Sequence, residues 1–562
     1  MDTDDYIGLI QAMGMSVYQY VLTFAIPVIV TSFVVPIILI VILPDLFGPL
    51  AIYLLAVVPA LAIIIIFVYP LLQAEGIKHN IEDNMHFFIT NIGILSTSNS
   101  PPADLFRVMS TKEEYGALAI ACREIYMRFA VWHVTLSDSC RLKAKTTPSI
   151  MFADFLDRFA NGLDSGENIE EFLLDEQNYV MNDYSIKYKG SLYDIDVLKE
   201  IYLSIVITLV FLISFAIIIP YLVAIDPAMM MLLVVFLFVA SEVGVIYYIK
   251  SVLPNDKVWY ESFSNREMRS ELMPAFLVSA VGCILLSLLS NFFLNYIPLE
   301  ILIAIVLTPL VVVGYIARSI EEQIKRRDQF YVEFIISLGL GAAARGGIVK
   351  DSLKVLTFHD FGELTVPIRH LYERIKTLIS NSRSWMLYRI ECGSFLINKF
   401  TDMFVETLSM GGRPDTTSEI ISKNFMTLQM LRRERYHSTT SFIGIVYGVQ
   451  AVVAFCLYVS AGVVIYMNDI YSKLDVPSSV LNSIITIPSA SSMQIVSVLL
   501  IMTLVINALL SAIAVRFMDG GHMLNSMIHF VALVWIGSLV AIVSRATLMM
   551  LLPSPGAPVG AH

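Results

Sequence analysis

The chain has 562 residues, of which 57% are hydrophobic and only 15% charged, and its mean hydropathy is +0.73. That composition excludes a soluble globular protein and places the chain among polytopic membrane proteins. The formal net charge of -11 conceals an uneven distribution along the chain, and five cysteines without CxxC spacing (Cys122, Cys140, Cys283, Cys392, Cys456) argue against a disulfide framework and a zinc site.

In chain order, the opening "MDTDDYIGLI" is acidic and lacks the basic start of a cleaved signal peptide, so the first apolar run is expected to stay as an anchor. Crossing a bilayer takes roughly 20 mostly apolar residues, which predicts nine spans: 21–43, 49–71, 201–223, 228–249, 273–294, 299–317, 441–466, 493–515 and 525–551. The expected organisation is therefore two spans in 1–71, a polar domain over 72–200, four spans in 201–317, a second polar domain over 318–440, and three spans with a short tail in 441–562. In the first polar domain Phe152, Phe155, Leu156, Phe159 and Leu163 recur at helical spacing. In the second, Leu396, Phe400, Met403, Phe404, Thr407 and Leu408 do the same, so both read as helical bundles with these stripes as core. The fold class is all-α.

The stretch "LGLGAAARGGIVKDSL", from Leu338 to Leu353, superficially suggests a phosphate-binding loop. Gly341 and Gly346 have Walker A spacing, but Gly347 and Ile348 stand where the phosphate-neutralising lysine and the magnesium-binding hydroxyl are required. The dinucleotide pattern fails as well, with Ala344 in place of its third glycine. Amphipathic residues on both sides make it the turn of a helical hairpin, with Gly346 and Gly347 supplying the permissive backbone. Scattered histidines without an HExxH cluster, and the lack of a GxSxG elbow, give no support to metal or serine hydrolysis. No enzyme, cofactor or nucleic-acid partner is expected. Glu242, in "LFVASEVGVIYYIK", is the clearest intramembrane carboxylate; it reads either as a functional ionisable group or as a helix-packing carboxyl with a local partner.

With the N-terminus cytoplasmic, 35 of the 37 Lys and Arg residues fall on the inner side, and the C-terminus "PSPGAPVGAH" lies outside. Basic residues flanking spans carry this orientation signal. Arg326, Arg327, Arg432 and Arg433 are its candidate topology anchors.

The two polar domains look like copies. "HFFITNIGIL" is similar to "EFIISLGLGA", and "FLDRFANGLDSGENIEEFL" to "MFVETLSMGGRPDTTSEII", at nearly constant offset. Each copy follows two spans and precedes two, which makes the repeat parallel and weighs against the inverted repeats common in carriers. A helix, a glycine turn and a second helix, as in "ARGGIVKDSL" and "DSGENIEEFL", resemble the cytoplasmic domain of type II secretion platform proteins of the F family. Two such domains with nine spans are most similar to the archaellum (archaeal flagellum) branch of that family; in the first domain "STSNSPPADLF" departs from the pattern. The resemblance implies a non-enzymatic platform in the cell membrane, a homodimer, that couples a hexameric secretion ATPase and its accessory cytoplasmic proteins to assembly of filament subunits, archaellins or pilins, and to rotation. An archaeal adhesion-pilus platform is the alternative within this class, and a polytopic transporter the alternative outside it.

Counting helical rise from the spans puts the turns holding Arg345, Lys350 and Arg413 up to ~40 Å from the bilayer. These three cations form a candidate ATPase-docking tip. The second domain has 18 basic against 14 acidic residues, whereas the first has 12 against 20. Opposite charges chiefly steer and orient partners.

The orientation is testable with single cysteines in a cysteine-free background. An impermeant thiol reagent added to intact cells should label Ser479→Cys and spare Ser98→Cys; labelling at position 98 alone would reverse the topology.

Overall fold

The computed structural model describes residues 51–98, 100–219, 227–293, 296–473 and 490–551, with the isolated positions 20, 28, 29 and 32. Among the described residues the regular elements are helical, and extended backbone pairs only in an isolated antiparallel bridge between Trp259 and Ser394. A lipid-exposed backbone must satisfy its own hydrogen bonds, which is why the long apolar runs fold as helices.

Among the described residues six helices are long and apolar enough to cross a bilayer, and a bent pair makes a seventh. They coincide with the spans expected from residue 201 onward. The bent pair is α10 (Leu299–Leu307) followed by α11 (Leu310–Ala343), with a 41° change of direction. Pro309 lacks the N–H a continuous helix needs there. Thr308 bridges the break, donating to the Ala304 carbonyl at 2.8 Å and accepting from Trp535 Nε1 at 3.1 Å. The span expected over 49–71 falls on the first part of α1 (Ala51–Ser96). The one expected over 21–43 lies outside the described residues except at positions 28, 29 and 32.

The chain forms two compact units, residues 1–184 with 403–420, and residues 185–402 with 421–562. In the first unit, α1 is followed by α2 (Pro102–Ser110), α3 (Ala117–Ala130), α4 (Leu136–Ala144), α5 (Ile150–Ser165) and the start of α6 (Ile169–Ile218). The aromatic stripe predicted on α5 is its core: Phe152, Phe155, Leu156 and Phe159 are fully buried, while Leu163 is half-buried. Phe88 of α1 meets the rings of Phe152 and Phe155 edge-on, at centroid distances of 5.9 and 6.4 Å, a geometry that suits the ring quadrupoles.

This unit also holds the duplicated glycine turns. After α5, Gly166 adopts φ +70° and the Glu167 N–H returns to the Gly162 carbonyl at 3.0 Å. After α15 (Phe395–Ser409), Gly411 adopts φ +84° and the Gly412 N–H returns to Thr407 at 2.8 Å before α16 (Pro414–Lys473) begins. Both are left-handed helix terminations of the kind glycine permits. Similar sequence has produced similar local geometry.

The second unit contains α6 from Ser185 onward, α7 (Pro227–Val252), α8 (Glu261–Glu267), α9 (Met273–Phe293), α10, α11, and then α12 (Val349–Leu356), α13 (Thr365–Lys376) and α14 (Asn381–Cys392). It also contains most of α16, with α17 (Ala490–Asp519) and α18 (Ser526–Leu551). Its extramembrane core is again aromatic. Tyr331 packs on Phe425 at 4.8 Å, Phe334 on Phe361 and Tyr388, and the Tyr331 hydroxyl lies 3.0 Å from Thr401 Oγ1. The stretch after α11 is the expected hairpin turn. Gly346 and Gly347 have φ +66° and +89°, and Gly347 N–H bonds to the Ala342 carbonyl at 2.8 Å.

Four helices join polar sequence to apolar sequence without interruption: α1 (46 residues), α6 (50), α11 (34) and α16 (60). At 1.5 Å per residue, α6 and α16 are rods of ~75 and ~90 Å.

Candidate functional site

The segment after α7 is fixed by backbone pairing and by an apolar plug. Phe395 N–H donates to the Val258 carbonyl at 3.0 Å, and Tyr260 N–H to the Gly393 carbonyl at 2.8 Å. Gly393 has φ +71°, and a Cβ there would lie 2.8 Å from the Phe263 ring. Trp259 and Phe263 pack with Leu272, Ala317, Ile320 and Ile324 in one buried cluster. This places Asp256 beside α16 about a third of the way along it, at Arg432.

There Arg432, with its side chain only 5% exposed, meets the Asp256 carboxylate in a two-point pair, Nε at 2.7 Å and Nη2 at 2.5 Å. Nη2 also donates to the Lys257 carbonyl at 2.7 Å, and Nη1 to Asp328 of α11 at 3.3 Å. A planar guanidinium suits such forked bonding. Burying an ion pair costs several kcal/mol of desolvation per ion, which only good geometry with further hydrogen bonds offsets. Asp328 is the weaker partner, with Oδ1 buried and unbonded. Burial pushes its carboxyl up to about 6, against the pull of Arg432.

One helical turn on, Arg435 donates to the carbonyls of Met518 (2.6 Å), Phe517 (2.9 Å) and Pro254 (3.3 Å). It thereby caps the C-terminal end of α17, where cations complement the helix dipole. The following loop, Asp519-Gly520-Gly521-His522, closes tightly: Gly520 has φ +75°, and a Cβ on Gly521 would collide with the Glu321 carboxylate. Glu321 accepts from the His522 N–H at 3.2 Å and pairs with Lys325 at 2.8 Å, while Lys325 lies 4.0 Å over the Tyr436 ring. Burial disfavours both charges, yet their attraction holds Glu321 below and Lys325 above their ordinary values. Thus α16, α11, the segment after α7 and the end of α17 are locked together by buried charge, just beyond the apolar stretches of their helices.

Of the four basic flanks singled out in the sequence, Arg326 and Arg433 are exposed, Arg432 is buried as described, and Arg327 is half-buried. Arg327 Nη1 donates to the carbonyls of Glu391 (3.0 Å) and Cys392 (3.1 Å) at the end of α14. The tip residues fall in different units. Arg345 and Lys350 are exposed in the second, Arg345 bonding back to the Gly341 carbonyl at 3.0 Å. Arg413 is in the first, paired with Glu170 at 2.9 Å. Glu242 is buried in α7 with neither carboxylate oxygen hydrogen-bonded, near Tyr202, whose hydroxyl lies 3.3 Å from Ser511 Oγ. Sequence reasoning missed Asp256, Asp328 and Arg435's carbonyl clamp, as well as a pair at the other end of the spans, Arg545 with Glu300 at 2.6 Å. The signal for that pair was present, since a lone arginine in an apolar helix requires a partner.

The chain is 35% identical over 548 residues to flagella accessory protein J of Methanocaldococcus jannaschii, an alignment covering 96% of each. It belongs to the flagella accessory protein J family. The protein of the same name from Methanococcus voltae is 36% identical over 487 residues, 85% of this chain and 87% of that one. Residues 88–217 match the family model for type II secretion system (T2SS) protein F. That segment begins in α1 and takes in α2 to α5 and nearly all of α6. No solved structure gives a significant match.

The charge cluster makes a prediction about pH. Asp328 has a raised value in the fold, so its contribution to stability is complete below the unfolded carboxylate value near 4 and is lost as pH rises through about 6. Asp328→Asn should therefore flatten that part of the pH dependence, worth about 3 kcal/mol, and be at least as stable as wild type at pH 8. Arg432→Gln strands two buried carboxylates and should cost about 3–5 kcal/mol. Thermal unfolding of the purified protein across pH checks both; strong destabilisation by Asp328→Asn at pH 8 would contradict the assignment.

Proposed function

We propose that this chain is the membrane platform of an archaellum, a type IV pilus-like filament machine. The observation carrying this reading is kinship with flagella accessory protein J along 96% of the chain, reinforced by the type II secretion F match over the first extramembrane domain. The same kinship does not favour a transporter. In this reading the protein is a non-catalytic homodimer in the cell membrane, with its N-terminus and both extramembrane domains in the cytoplasm. A hexameric ATPase and its accessory proteins engage those domains, and their strokes are converted into addition of filament subunits and into rotation.

The architecture suits that task. A stroke applied to a helical domain must reach the bilayer without dissipating in loops, and α6, α11 and α16 leave the extramembrane regions as uninterrupted helices. The charge cluster around Arg432 and Arg435 then couples α11 and α16 to the ends of neighbouring spans. Docking is assigned to the turn between α11 and α12. There exposed Arg345 and Lys350 are interleaved with exposed Leu340 and Ile348, a combination that offers both steering charge and apolar contact. Arg413, the third candidate cation, lies in the other unit, where it is paired with Glu170 at 2.9 Å.

Arg345→Glu with Lys350→Glu should slow ATPase association by about tenfold or more and stop filament assembly, with normal membrane insertion. Arg413→Glu should have a smaller effect, and Arg433→Gln none on docking. Surface plasmon resonance with reconstituted full-length protein measures the association. Wild-type binding and assembly by the Arg345/Lys350 variant would place the docking site elsewhere.

A further inference from the structure

A cavity of about 780 Å³ opens in the second unit between α8, α11, α13 and the turn before α13, lined by Arg266, Arg326, Arg327, Phe330, Glu363 and His370, among others. Neither the family nor the platform role assigns it a ligand. Its depth follows from the helices that build it. Arg266 lies at the end of α8, which passes through a single π-helical turn, Met268–Leu272, into the apolar α9. Arg326 lies nine residues past the apolar part of α11, which ends near 317, or ~13 Å along the helix. The Arg266 side of the cavity, four residues or ~6 Å along the helix before the span that begins at Ser270, therefore reaches the lipid-headgroup layer, and Arg326 stands farther out.

Its donors are underused. Arg266 and Arg326 are exposed, and Arg326 is paired loosely with Glu363 at 3.9 Å. Arg327 spends Nη1 on backbone carbonyls and leaves Nε buried without a partner. The acids are less available than their number suggests. Glu391 is forked onto Arg374 and also faces His370 at 3.4 Å. Glu267 lies near Arg266 and Arg327. Glu363 on the rim is set only loosely against Arg326, and Glu267 is the other carboxylate that faces the cavity's guanidinium groups. Guanidinium groups converging on a concave surface favour phosphate oxygens, and basic pockets beside membrane helices hold anionic headgroups.

We propose that this cavity binds the phosphate of an anionic phospholipid headgroup, making the second domain a specific lipid reader at the membrane surface. The full-length protein, in nanodiscs of phosphatidylcholine doped with phosphatidylglycerol, is examined by native mass spectrometry for retained lipid. Wild type should retain phosphatidylglycerol preferentially. Arg266→Gln should weaken retention about fivefold and Arg266→Gln with Arg326→Gln about 30-fold. Glu363→Gln should strengthen it, and Arg383→Gln, an exposed change away from the cavity, should match wild type. Arg266 is exposed, so its single variant reports on binding even if the double variant folds poorly. Absence of phosphatidylglycerol preference in wild type, unchanged retention in Arg266→Gln, or displacement of the lipid by inorganic phosphate would each overturn the proposal, the last pointing to a soluble phosphate instead.

Discussion

The buried pairing of Arg432 with Asp256 is the constraint on which the membrane-proximal structure depends. An arginine at this depth is tolerable only if its donors are matched, and here two carboxylates and a carbonyl match them. Satisfying that one side chain fixes the segment after α7, sets the rotation of α16 about its axis, and holds α11 against both. Arg435, three residues along the same face, extends the constraint to the end of α17. Buried ion pairs contribute little net stability compared with an apolar replacement. Their value in this protein is geometric, because removing one partner penalises every arrangement in which the other stays buried.

That constraint explains the glycines nearby. The Asp519–His522 loop must deliver backbone groups to Arg435 and Glu321 at close range, and Gly521 has no room for a side chain beside the Glu321 carboxylate. Gly393 serves the same end by letting the Phe263 ring press on the backbone that pairs with Tyr260. In the proposed role as a platform, such junctions would stiffen the places where the long helices enter the bilayer. Long helices supply the rods, since breaking one anywhere along its length forfeits intrahelical hydrogen bonds.

Much of the fold was legible in the sequence because it is encoded locally. Spans announce themselves by apolar length, the α5 and α15 stripes by helical period, and the turns at Gly166, Gly346 and Gly411 by glycine where φ must be positive. The duplicated turns were readable for the same reason. The charge cluster was not, because its partners are remote: Asp256 is 176 residues from Arg432, and Asp328 is 104 residues away. From sequence, Arg432 is indistinguishable from its neighbour Arg433, and both read as basic flanks. Only the helical phase of α16, which turns one inward and the other outward, separates them. Arg345, Lys350 and Arg413 illustrate the converse limit, since equal distances along helices did not predict that Arg413 would fall in a different compact unit with Glu170 as a partner.

The coupling attributed to the cluster is most directly measured by amide hydrogen exchange at residues 253–257 and 517–522, comparing the wild-type protein with Arg435→Gln in the same membrane mimetic. If one guanidinium clamps both segments, they should be protected together in wild type and lose protection together in the variant, while the spans keep theirs. Opening of one segment alone, or unchanged exchange in both, would contradict a shared clamp and leave the span ends independent of α16.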